Sequence, residues 1–193
     1  MDVKDSNGSG RKSVWLTKAE LADLYDAADA HKDMRRSIAL RLMGECGLRS
    51  AEVLDVEHDH INEVEGHDHY LLKVPHGKGD KERKTIISRE LKQDIKAYSR
   101  ANNGESNPVI DCSKRTLTNW VESAADEQEG DGWGHVSCHD LRRSFGTNLL
   151  GEGVSVPITM SCGGWDDYQT FKEHYVGEIQ GTQIAEQTAG VFA

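Results

Sequence analysis

The stretch from His69 to Ser88 constrains this chain most. HYLLKV reads as a strand, HGKGDKE as a turn and RKTIIS as a second strand, so the segment predicts a β-hairpin whose connection is rich in Gly and Lys. On both sides of it, apolar residues recur at helical spacing instead. Thr17 and Glu20 form a capping-box pattern, with Leu16 and Leu21 placed as a hydrophobic staple, ahead of Leu21, Leu24, Tyr25 and Ala28. Ile38, Ala39, Leu42, Met43 and Cys46 share a face of a second helix that Gly47 can stop. Ser50 can cap a short third helix carrying Glu52, Val53 and Leu54. After the hairpin, Leu91, Ile95 and Tyr98 mark another helix, residues 101–108 a loop, and Ser113 the cap of a helix through Trp120, Val121 and Ala124. EGDGWGH is a glycine-rich lead into a helix near 139–151, and Gly153, Pro157 and Gly163-Gly164 punctuate the rest. The expected fold is mainly α with a small antiparallel β-sheet, an α+β domain without internal repeats.

The domain is expected over residues 14–177. Residues 1–13 are polar and glycine-rich, which predicts disorder, and residues 178–193 form a polar C-terminal tail. Ile179, Ile184, Val191 and Phe192 along that tail would either pack on a neighbouring protomer or fray with it. The apolar runs are too short to span a bilayer, and the N-terminus has no apolar signal-peptide core, so a soluble cytoplasmic protein is expected. Cys46, Cys112, Cys138 and Cys162 are widely spaced with no C-x-x-C pair, which favours reduced thiols over a disulfide scaffold or a zinc site.

Net charge is −10, so any anion partner must be met by a local concentration of cations. Such concentrations exist at Lys78, Lys81, Arg83 and Lys84, at Lys114 and Arg115, and at Arg142 and Arg143. These clusters allow a basic cleft on an acidic body. The acidic balance also fits a halophilic host, whose proteins hold hydration with acidic surfaces.

Three basic segments carry the candidate chemistry. GLRSAEVLDV places Arg49 at a helix junction, GKGDKERKTI places Lys78 in the hairpin turn, and HDLRRSF places His139 and Arg142 at i and i+3, on one helix face. FKEHYVG then puts Tyr175 after a short helix near the C-terminus. Each residue has a plainer reading when taken singly. Arg49 could close a helix end, Lys78 could be an exposed turn lysine, His139 and Arg142 a solvated face, and Tyr175 a packed aromatic.

In this order and at these intervals, the segments resemble the tyrosine recombinase (phage integrase) family. The resemblance runs from about Trp15 to about Gly177 and implies metal-free cleavage of DNA through a 3′-phosphotyrosine intermediate. Arg49 and Arg142 match the family's phosphate-gripping arginines, whose guanidinium forks suit phosphate oxygens. Lys78 matches the general acid for the leaving 5′-oxygen, and His139 the residue that assists proton transfer at the nucleophile. Tyr175 matches the nucleophile. Gly164-Trp165, ten residues earlier, matches the family's G-H or G-W pair, with the indole packing and donating to the phosphate. The resemblance further implies a double-stranded DNA attachment site as partner, self-association as a tetramer on DNA, and no cofactor or metal. Lys81, Arg83, Lys84, Lys114, Arg115 and Arg143 are the expected DNA-binding cations. His58, His60, His67 and His69 invite a metal-site reading through their H-x-H spacing but are read as solvated loop residues. Two alternatives share this pattern: relaxation of DNA like that of a type IB topoisomerase, and a non-catalytic DNA-binding regulator with the same fold.

Overall fold

A computed structural model describes residues 1–5, 12–77, 82–102 and 108–175, apart from the side chains of Thr170 and residues 173–175. The helices are α1 (Lys18–Ala30), α2 (Met34–Gly44), α3 (Ser50–Val53), α4 (Arg89–Ala101), α5 (Lys114–Asp126), α6 (Cys138–Gly151), α7 (Val156–Gly163) and α8 (Tyr168–Tyr175). The strands are β1 (Asp2–Asp5), β2 (Lys12–Trp15), β3 (Ile61–Glu63), β4 (Tyr70–Val74) and β5 (Arg83–Ile87).

Helix α2 is the centre of the packing, with α1, α4, α5 and α6 against it. Its sequence explains that position. Ser37, Ile38, Ala39, Leu40, Leu42, Met43 and Gly44 are all buried, so the helix hides most of its circumference. Helix α4 is the opposite case, burying only Leu91 and Ile95 along one stripe. The capping box at Thr17 is present: its hydroxyl accepts from Glu20 N at 3.3 Å, and the Glu20 carboxylate accepts from Thr17 N at 2.8 Å.

The hairpin is present as β4–β5, antiparallel with Val74 opposite Arg83 and Tyr70 opposite Ile87. Two features exceed the sequence expectation. A third strand, β3, pairs with β4, giving the order β3-β4-β5. Three residues with one apolar member, Ile61, carry almost no periodic signal, so only the β4 edge makes them a strand.

The second feature corrects the disorder expected within residues 1–13. Asp2–Asp5 and Lys12–Trp15 pair antiparallel, with Val3 opposite Val14. Val14 is fully buried, and its N–H donates to Asp140 Oδ1 at 3.0 Å; Leu16 N donates to Ser144 Oγ at 2.8 Å. The strand's order therefore comes from α6, through partners over a hundred residues away that local composition does not reveal. Residues 178–193, the predicted tail, lie outside the described residues. Among the described residues no helix is long and apolar enough to cross a membrane.

Candidate functional site: an arginine cluster around Glu52

Helix α2 ends at a tight turn that decides where Arg49 goes. Gly47 adopts φ 68°, and a Cβ there would lie 2.3 Å from the Phe145 ring, so both conformation and space require glycine. The chain then enters α3 with Arg49, rather than Ser50, at the N-cap. Glu52 does the capping, its Oε2 accepting from Arg49 N at 2.7 Å. Glu52 is 3 % exposed at its side chain, and three guanidinium groups surround it. Arg83, from β5, donates both Nη groups to the two carboxylate oxygens at 2.8 Å each. Arg49 donates to Oε1 at 2.6 Å, and Arg142 lies 4.0 Å away. Burial alone would raise the Glu52 carboxyl, but the Arg83 fork, the Arg49 N–H and the adjacent charges outweigh it and hold the group below the usual carboxylate range.

The same three arginines meet a second set of acceptors. Helix α7 ends with Cys162 and Gly163, and Gly164 follows in the left-handed conformation at φ 65°. The last carbonyls of a helix lack intrahelical donors and carry the negative end of its dipole. Here three successive carbonyls are each satisfied by a different guanidinium. Arg83 Nε donates to Cys162 O at 3.0 Å, Arg142 Nη2 to Gly163 O at 2.5 Å, and Arg49 Nη2 to Gly164 O at 3.2 Å. Arg142 also donates to Gly47 O and is buried, while the Arg49 side chain keeps 31 % exposure.

Trp165 forms the floor. The Arg142 guanidinium sits 4.6 Å from the centre of its ring, within cation–π range. The indole packs between Phe145, at 6.3 Å, and Phe171, at 5.1 Å. Phe171 is fully buried and fixes α8 on this floor, and Tyr175 ends that helix about one turn later. His139 lies in the first turn of α6, three residues before Arg142. The structure thus gathers Arg49, Arg142 and Trp165 around one point and brings the helices bearing His139 and Tyr175 to it. Lys78 and Lys81 lie outside the described residues, as does the Tyr175 side chain; the two strands flanking the turn are β4 and β5.

Two of the expected DNA-binding cations have acidic partners inside the protein. Arg83 is committed to Glu52 and Cys162 with its side chain 8 % exposed, and Arg143 is buried in an ion pair with Asp140. Charge in the sequence does not reveal whether a guanidinium faces water or a carboxylate. Lys84, Lys114 and Arg115 are exposed, the last two in the first turn of α5. Glu52 and the α7 carbonyls are the parts the sequence reading missed. The legible signal for Glu52 was its position three residues after Arg49 in GLRSAE.

The four histidines do not converge. Among the described residues, the ligand-bearing group that comes together is Glu57, Asp59 and His60, and His60 Nδ1 there accepts from Glu57 N at 3.1 Å. His69 contacts the Asp68 carbonyl in a separate turn. A cleft of about 780 Å³ lies between α1, the end of α2 and the β4–β5 face, and none of Arg49, His139, Arg142 or Trp165 lines it.

The chain belongs to the phage integrase family, whose model matches residues 14–179. Among curated proteins it is similar to the tyrosine recombinase XerA of Thermococcus kodakarensis, 27 % identical over 181 residues, covering 90 % of this chain and 62 % of the relative. It is also similar to the XerA of Pyrococcus furiosus, 30 % identical over 148 residues, covering 74 % and 50 % respectively. The chain therefore spans about half to three-fifths of these relatives. Among solved structures, XerA recombinase matches with TM-score 0.70 at 19 % identity, over 93 % of this chain and 65 % of that one. The catalytic domain of bacteriophage HP1 integrase matches with TM-score 0.63 at 15 % identity, over 91 % and 94 %. The fold is that of tyrosine recombinase catalytic domains.

Proposed function

We propose that this chain is the catalytic domain of a site-specific DNA recombinase, cutting and rejoining strands through a 3′-phosphotyrosine on Tyr175. One observation carries the reading: a single buried carboxylate, Glu52, stands among three guanidinium groups. Three guanidinium groups gathered in one place are suited to grip the oxygens of an incoming phosphodiester. In the proposed step the Tyr175 oxygen attacks phosphorus, Arg49 and Arg142 hold the non-bridging oxygens, and His139 assists loss of the tyrosine proton. Trp165 supports Arg142 and donates its N–H to the phosphate. The P–O5′ bond breaks, and Lys78 supplies the proton to the leaving oxygen. The new P–O bond conserves the phosphodiester's energy, so the 5′-hydroxyl can return and reseal the strand without cofactor or metal.

Exposed Lys84, Lys114 and Arg115 would meet the DNA backbone, together with Lys81. Exchange between two duplexes needs four strand cleavages, and one tyrosine makes one cleavage, which favours a tetramer on DNA. The partner is a double-stranded attachment site, and the setting is the cytoplasm.

The test is covalent capture from a library of nicked duplexes of randomised sequence. The unaltered protein should retain a subset of sequences through denaturation, and Tyr175→Phe should retain none. Folded, DNA-binding protein that captures nothing would favour the non-catalytic regulator. Relaxation of supercoils without sequence preference would favour the topoisomerase reading.

A further inference from the structure

We infer that Arg83 is the positioning residue of this site: it holds Glu52 and the end of α7 in the arrangement that aims Arg49 and Arg142, and makes no contact with the phosphate itself. The inference rests on the proposed function. Three elements distant in sequence meet at Arg83. It stands on β5, it grips the α3 carboxylate with both Nη groups, and its Nε donates to the Cys162 carbonyl of α7. It is the first residue of β5, so it also ties the β4–β5 hairpin to the pocket. The fit is close: a Cβ on Gly164 would lie 2.8 Å from Arg83 Cδ.

The division of labour follows from charge. Glu52 Oε1 accepts from Arg49 as well as Arg83, and Arg142 is 4.0 Å from the carboxylate. Without Arg83, the carboxylate would be balanced by Arg49 and Arg142, the two groups needed for the phosphate. With Arg83 taking both oxygens, Arg49 and Arg142 stay beside Glu52 without either having to supply its bidentate contact. Lysine cannot replace it, because one ammonium cannot make the parallel two-oxygen contact and also reach the Cys162 carbonyl along the same plane.

The test uses Arg83→Lys and Arg83→Met in the full chain. Three readouts are needed: single-turnover cleavage of a captured duplex at saturating DNA, duplex affinity by anisotropy, and the Glu52 carboxyl titration by carbon NMR, which needs no DNA. Arg83→Lys should cleave on the order of a hundredfold more slowly with affinity little changed. In Arg83→Met the Glu52 carboxyl should titrate at higher pH, since its two-oxygen guanidinium partner is gone. Weakened affinity with an unchanged cleavage rate would make Arg83 a DNA contact and overturn the inference, as would an unchanged Glu52 titration. Should Arg83→Met not fold, the pair Arg83→Met/Glu52→Gln removes both buried charges together. That pair should fold and still cleave slowly; full activity in it would overturn the inference. If the unaltered protein captures no DNA, the proposed function fails, and the Glu52 titration still decides whether Arg83 holds the carboxylate.

Discussion

Two buried carboxylates, Glu52 and Asp140, organise two regions of this molecule in contrasting ways. Among the described residues Asp140 has one guanidinium neighbour, Arg143, and both its oxygens are committed. Oδ1 accepts from Val14 N at 3.0 Å and from Arg143, and Oδ2 accepts from Ser137 N at 3.0 Å and Ser137 Oγ at 2.5 Å. Arg143 in turn lies over Trp15 at 5.2 Å from the ring centre. One negative charge meets one positive charge, and the result fastens β2 to the start of α6. Glu52 meets three guanidinium groups. Buried ion pairs repay their desolvation only when geometry and extra hydrogen bonds are good, and both clusters meet that condition. What separates them is stoichiometry: one guanidinium pairs with Asp140, whereas three gather at Glu52 and at the end of α7.

Substitutions can break this contrast. The largest effect is expected from Arg142→Ala. Removing one preorganised donor of this kind costs about 10²–10³ in rate, measured as single-turnover covalent capture per folded molecule. A variant that loses stability but cleaves normally would place Arg142 in the structural class with Arg143. Next, Asp140→Ala leaves Arg143 buried without its carboxylate and releases β2. A loss of about 3–5 kcal/mol in chemical denaturation is expected, with cleavage by the folded fraction retained. Slowed cleavage at unchanged stability would erase the distinction between the clusters.

The smallest effect concerns pH. The folded Glu52 carboxyl is held below its usual range, so ionised Glu52 contributes stability above the unfolded value. That contribution is lost as pH falls through the depressed folded value. The stability gap between the unaltered protein and Glu52→Gln should therefore be widest near neutrality and narrow in acid. A gap that is constant with pH would mean that Glu52 acts by shape rather than charge.

Much of this was legible in the chain. Helix α1 announced itself through Thr17, Glu20 and the Leu21–Leu24 spacing, and the hairpin through its alternating apolar residues and glycine-rich turn. Arg49, His139, Arg142 and Trp165 were legible as candidates because each lies in a short segment of recognisable spacing. Glu52 was overlooked, although it stands three residues from Arg49, because a glutamate in a helical segment usually faces water. The carboxylate partners of Arg83 and Arg143 were overlooked for the matching reason: they stand on other elements or one helical turn away. Strands β1 and β2 were missed because they pair with each other in short polar segments, and the contact that fastens β2, Val14 N to Asp140, lies on α6.

The sequence by itself determined the helical periods, the hairpin, the turn glycines and the residue types able to grip a phosphate. All of these depend on interactions within a few residues. Only the tertiary structure decided which arginines gather around Glu52 and which pairs with Asp140. That depends on where Glu52, Asp140 and the last carbonyls of α7 fall in space, and electrostatic neutralisation acts through distance in space, whatever the separation along the chain. Arg142 and Arg143 are neighbours in sequence, yet one joins the Glu52 cluster and the other the Asp140 cluster. Successive residues on a helix point about 100° apart, and on α6 that turn separates the Glu52 side from the Asp140 side.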